Sequence, residues 1–285
     1  MQQNSRFTRF WQSPAIRGTR QLASPRLWYR QLTAGQRPLP ACIIAGAQKA
    51  GTTSLFDYLS GHPQCAPSFT KEVHYFDDAF GRGESWYRMH FPLTEQRRLC
   101  FESSPYYMFD PRVAARVHAL LPEVKLIFLL RSPVSRAYSH YQHAVRRGHE
   151  SLAFEAALDA EPQRLAGEHE RLLAEPYARS DMHRWHSYAT RGHYADQLVR
   201  WFTLFPREQI LLLQAERLFK QPAEAFAEVL RFLHLDRWQP TSFGSSNQGR
   251  YQEPMSAAAA VRLRQEFAAS NERLFELIGE RYDWS

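Results

Sequence analysis

Apolar positions follow two rhythms along this chain of 285 residues. Residues 124–130 (VKLIFLL) form a near-continuous apolar run between Pro122 and Pro133, the pattern of a strand buried on both faces. Shorter runs at 41–46, 99–102 and 210–213 read the same way. Between them the apolar spacing lengthens to three and four residues, which predicts helices. One is expected over 52–61. Pro111, suited to a first turn, opens a second with Val113, Val117, Leu120 and Leu121 on one face. Others are expected over 134–147 and 194–204, through Phe226, Val229, Leu230 and Leu233, and over 256–279. Residues 150–175 are polar and helical in pattern, with no evident place in the fold. The alternation predicts an α/β domain with a central, mostly parallel sheet flanked by helices, resembling P-loop folds.

Charge changes the picture only once it is located. The formal net charge is +7, yet residues 1–40 hold seven arginines (6, 9, 17, 20, 26, 30 and 37) and no Lys, Asp or Glu. The remaining 29 Lys and Arg balance 29 Asp and Glu, so residues 41–285 are neutral. A basic, aromatic-rich extension (1–40) is thus expected before one domain (41–285), with Pro38 and Pro40 marking the boundary. Its mix of Arg with Phe7, Phe10, Trp11, Trp28 and Tyr29 suits an anionic membrane surface or a polyanion. No nucleic-acid partner is expected. There is no run of about 18 apolar residues. Cys42, Cys65 and Cys100 are widely spaced and read as buried, reduced thiols. A cytoplasmic protein, peripheral on the inner face of a membrane, is expected.

Three constellations carry chemistry. The first runs from Gly46 to Ser54. An apolar strand leads into a glycine-bracketed loop, and Thr52, Thr53 and Ser54 open the next helix. Backbone N–H groups and the positive helix end there suit an anion. Gln48, Lys49, Ala50 and Gly51 complete the loop. Lys49 sits inside it rather than after its last glycine, which departs from the Walker A arrangement and disfavours a nucleotide kinase. The second runs from Arg131, at the carboxyl end of the most apolar strand, to Ser139. Ligands collect outside such strand ends, and an Arg fork binds phosphate oxygens bidentately. The third is Lys71-Glu72-Val73-His74-Tyr75-Phe76-Asp77. In an extended segment Glu72 and His74 share one face, so either is a candidate base, with Lys71 tuning it. Each stretch alone also fits an ordinary turn, ion pair or solvated strand end.

Together they resemble a known family. GAQKAGTTSL, KEVHYFD, ESSPYYM and LLRSPVSRAYSHY, in this order, are similar to sulfotransferases that use 3′-phosphoadenosine 5′-phosphosulfate (PAPS). The spacing resembles the heparan sulfate 3-O- and N-sulfotransferase branch and its bacterial relatives, over residues 41–285. The resemblance implies the sulfotransferase fold, PAPS as donor and 3′-phosphoadenosine 5′-phosphate (PAP) as product. It implies that the 46–54 loop binds the 5′-phosphosulfate, with Lys49 near the bridging oxygen. Arg131 and Ser139 would bind the 3′-phosphate, and Glu72 would be the base. Gly249 and Arg250 would belong to a late loop that closes over the nucleotide. Lys71, Ser103 and Tyr106 would face the acceptor, a carbohydrate such as a polysaccharide or glycolipid. A lipid or small-metabolite hydroxyl is the alternative acceptor, and a non-enzymatic polyanion-binding protein the alternative class. No metal is required, because the leaving group offers no triphosphate for magnesium to bridge. Ser103 stands where the heparan enzymes carry a lysine, and no disulfide loop follows Tyr251.

Overall fold

The computed structural model describes residues 25–93, 98–244 and 254–284. Five parallel strands form one sheet in the order β2-β3-β1-β4-β5. They are β1 Cys42–Gly46, β2 Cys65–Pro67, β3 Leu99–Ser103, β4 Lys125–Leu130 and β5 Ile210–Gln214. Helices α1 Pro25–Leu32 and α2 Thr52–Gly61 are followed by α3 Glu84–Arg88, α4 Val113–Leu120 and α5 Pro133–Arg146. Then come α6 Phe154–Leu165, α7 Glu168–Ala174, α8 Asp181–Trp185 and α9 Tyr194–Leu204. The last are α10 Ala215–Lys220, α11 Pro222–Leu233 and α12 Ala257–Ile278. No helix among the described residues is long and apolar enough to cross a membrane.

The expected parallel α/β architecture is present. β1 and residues 126–130 of β4 are wholly buried, as their unbroken apolar runs require when helices cover both faces. The polar stretch at 150–175 resolves into α6 and α7. β2, α3, α8 and α10 are too short to leave a periodic signature. All three cysteines are buried, and none forms a disulfide. The last part of the N-terminal extension is folded onto the domain. The Arg37 guanidinium is buried and donates to the Phe91 carbonyl at 2.7 Å.

One polar cluster lies inside this apolar frame, where β3 runs into a turn at Pro105–Met108. The fully buried Glu102 carboxylate accepts hydrogen bonds from Tyr87, from Ser104 at 2.7 Å and from Tyr107 at 3.3 Å. The same groups hold the backbone of residues 72–76. The Tyr75 and Phe76 N–H groups donate to the Tyr107 hydroxyl at 2.8 and 3.3 Å. The His74 N–H donates to Ser104 Oγ at 3.3 Å, and the Glu72 N–H to the Ser103 carbonyl at 2.9 Å.

Burial pushes the Glu102 carboxyl from 4.5 up to about 7, against the pull of Tyr87 and Ser104. Between those values the folded chain keeps a proton that the unfolded chain has released. The stability this group contributes is therefore complete below about pH 4.5 and is lost as pH rises through about 7. The change is on the order of 3 kcal/mol. Glu102→Gln keeps the neutral shape and should flatten that slope, which urea midpoints measured across this pH range will show.

Candidate active site

β1 and β4 are neighbours, but the chain leaves them in opposite directions, toward β2 and toward β5. Their carboxyl ends therefore flank a crevice, the place where ligands bind in open α/β sheets. The loop after β1 lines one side. The Ala47 N–H ties it to the Leu129 carbonyl of β4 at 2.8 Å. Gly46 leaves no room for a side chain, since a Cβ there would lie 2.5 Å from Met108 Cβ. Gly51 caps α2 with φ +95°, and a Cβ would meet the Phe219 ring at 2.7 Å. Ala50, Thr52 and Ser54 are buried, and Thr53 is half-buried in the first turn of α2. Arg131, just past β4, reaches across to donate to the Lys49 carbonyl at 3.1 Å. Ser139 is buried two turns into α5.

Lys49 is half-buried, with φ +72°. Burial pulls its ammonium down to about 8, helped by the charges of Arg146, Arg131 and Lys71 and opposed by Glu72. Glu72 and Lys49 thus share one electrostatic field. The expectation that residues 71–77 are extended does not hold. Glu72 and His74 both adopt left-handed backbone, with φ 61° and 56°. Only four non-glycine residues among those described have positive φ, and three of them are Lys49, Glu72 and His74. Such conformations cost about 1–3 kcal/mol each and persist only where surrounding structure imposes them. Here the hydrogen bonds from the β3 turn impose them on Glu72 and His74.

The strained backbone still brings the two side chains together. Glu72 Oε2 lies 3.4 Å from His74 Nε2, and Lys71 Nζ donates to Glu72 Oε1 at 2.7 Å. Behind them, His74 Nδ1 bonds Asp77 Oδ2 at 2.7 Å. Burial opposes the charged imidazole, but Asp77 outweighs it and pushes His74 up to about 10. The Glu72 side chain is 41% exposed, and against some cost of desolvation Lys71 and His74 hold its carboxyl below the usual range. Both shifts favour a charged imidazole and an ionised Glu72 at neutral pH, so of the two candidate bases Glu72 is the better proton acceptor. Asp77 and Asp78 both bind the Arg184 guanidinium, at 3.0 and 2.8 Å. His74, Asp77 and Asp78 cluster as metal ligands do, but Arg184 fills the cation position between the carboxylates.

A model of the sulfotransferase domain matches residues 39–272. The chain belongs to the sulfotransferase family. It is 28% identical to the membrane-associated sulfotransferase kil1 of Dictyostelium discoideum, over 86% of this chain and 66% of that protein. It is 27% identical to human heparan sulfate glucosamine 3-O-sulfotransferase 6, over 88% of this chain and 75% of the relative. A solved sulfotransferase from Alicyclobacillus acidocaldarius superimposes with a TM-score of 0.69 at 29% identity, covering 87% of this chain and 99% of that one.

In this sulfotransferase, two of the residues expected to face the acceptor lie beneath the cleft. Ser103 is fully buried under Glu72, and Tyr106 is buried with its hydroxyl 2.6 Å from His183 Nδ1. Gly249 and Arg250 fall outside the described residues. Arg184 and Arg191 were missed by the motif reading. Fully buried Arg191 donates to Gln48 Oε1 of the loop and to the carbonyls of His183 and Arg184 at 3.0 and 2.9 Å. It thereby joins the loop to the Asp77 cluster. The only signal was Arg191 itself, within Tyr188–Tyr194, where nothing in the spacing pointed toward residue 48. The charge balance suits a polyanionic donor. The charges of Lys71, Arg131, Arg146 and Glu72 all reach Lys49. Two nitrogens of buried Arg136 and both of buried His140 have no hydrogen-bond partner among the described residues.

Asp77→Asn should return His74 from about 10 toward its ordinary value of 6.5, since it removes the charge that raises it. An NMR titration of the ring checks this. A ring still charged near pH 9 would point to a different source of the shift.

Proposed function

We propose that the enzyme moves a sulfuryl group from PAPS to a hydroxyl or amine of a carbohydrate, such as a polysaccharide or glycolipid. The observation that carries this reading is a lysine in a glycine-bracketed loop at the switch point of the sheet, within electrostatic reach of Glu72. The human relative named above is a glucosamine 3-O-sulfotransferase, which supports a sugar acceptor. In this reading the 46–54 loop and the α2 N-terminus hold the 5′-phosphosulfate. Arg131 and Ser139 hold the 3′-phosphate, and Gly249 and Arg250 are further candidates for contact with the nucleotide.

When bound, PAPS supplies a sulfuryl group on a good phosphate leaving group. The S–O bond to that phosphate breaks as the acceptor oxygen bonds to sulfur. The acceptor proton passes to Glu72. Resting Glu72 is a weak base because Lys71 and His74 hold its charge. An anionic donor draws on the Lys71 and Lys49 charges, which releases Glu72 toward the incoming hydroxyl. Lys49 faces the charge that grows on the leaving oxygen, and one such donor is worth about 3 kcal/mol in the transition state. His74, fixed as imidazolium by Asp77, aims the Glu72 carboxylate.

Labelled sulfate should pass from PAPS to a glycan acceptor, and PAP should bind in preference to ATP. Preferential binding of ATP would overturn the donor. Glu72→Gln should keep PAP affinity and lose turnover by at least about 100-fold. Normal turnover in that variant would remove Glu72 as the base.

Lys49 also sets a pH limit. Its ammonium is present below about 8 and is lost above it, so kcat/KM for the donor should fall as pH rises through that value. Lys49→Arg stays charged there and should lose that limb, though at a lower rate.

A further inference from the structure

We propose that α1 is a docking face for an anionic lipid bilayer. The helix has two sides roughly half a turn apart. On one, Arg26 and Arg30 lie over the Phe69 ring, 4.9 and 4.4 Å from its centre. Arg30 also donates to the carbonyls of Met89 and Phe91 at 2.7 and 3.1 Å. Arg37 holds the same Phe91 carbonyl, so the helix is fastened to the domain at both ends. On the other side Trp28 and Leu32, one turn apart, are 65% and 63% exposed, and Tyr29 beside them is 53% exposed. No residue of α1 is buried. Packing onto the domain therefore leaves the large apolar side chains outward, while Arg30 is half-buried against the domain and Arg26 lies exposed over Phe69. Leu93, two residues past the Phe91 carbonyl, is also 44% exposed. A cavity of about 530 Å³ opens beside the helix along the β2 edge, with Arg30 and Arg98 in its wall.

Charge selects the occupant. Residues 1–24, which lead into α1, carry four arginines and no acidic residue. A second copy would bring its own positive extension beside this one, and residues 1–24 folded back would bring no opposite charge, so both are disfavoured. An anionic bilayer supplies the missing sign. It also takes Trp and Tyr at its interfacial zone and Leu below it. The cavity beside α1 offers two guanidinium groups to a lipid phosphate. Phe69 lies two residues before Lys71, so a helix seated on lipid is joined to the segment that carries Glu72.

The test uses the full chain and vesicles of phosphatidylcholine, with or without phosphatidylserine. The protein should sediment with the anionic vesicles, and added salt should release it. Trp28→Ser/Leu32→Ser should weaken that partition about tenfold while leaving the melting temperature unchanged. Equal sedimentation of the variant and the wild type would overturn the proposal. So would equal binding to both vesicle types. A wild-type dimer that the double substitution converts to monomer would assign the face to a second copy instead.

Discussion

The site depends on a carboxylate that water does not reach. Glu102 gathers the hydroxyls of Tyr87, Ser104 and Tyr107 inside an otherwise apolar core. Those hydroxyls and the adjoining backbone catch the N–H groups of residues 72, 74, 75 and 76. A segment without regular secondary structure is thereby given a fixed path, and Glu72 and His74 accept unfavourable dihedrals within it. A loop with only solvent around it would relax out of them. Buried polar networks of this kind matter because each member lost leaves another unsatisfied in a low-dielectric interior.

A second constraint is the surplus of positive charge. Lys71, Arg131 and Arg146 all act on Lys49, and their repulsion adds to burial in depressing its ammonium. Part of the surplus is balanced internally. Asp77 and Asp78 take Arg184, Asp77 also fixes the His74 proton, and Glu72 sits between Lys71 and His74. The remainder is a standing attraction for an anion of several charges. Preorganised charge of this kind stabilises a transferring anionic group without reorganisation during the reaction.

Much of the fold is written in short-range pattern. The apolar runs of β1 and β4 and the helices from 52, 133, 194, 222 and 257 follow from periodicity and from proline and glycine placement. The loop and Arg131 were legible because a glycine pair and a strand-end arginine are local features. The same local view failed at 71–77. Nothing in Lys-Glu-Val-His announces left-handed backbone, because the cause is Tyr107 and Ser104, some thirty residues away. Arg184 and Arg191 were illegible for a similar reason. Their partners, Asp77 and Gln48, lie more than a hundred residues upstream. The resemblance placed Ser103 toward the acceptor, yet β3 is covered on both faces and its side chain is fully buried.

The three left-handed residues set stability against chemistry at single positions. Glycine would accept φ near +60° at 49, 72 or 74 without the clash that a Cβ brings. At any of them it would relieve strain and delete the functional group in the same step. Drift toward a more stable chain therefore has an easy route through the residues proposed to carry the reaction. Only selection for turnover opposes that drift, so a relative that has lost the activity would be expected to show glycine first at these three sites.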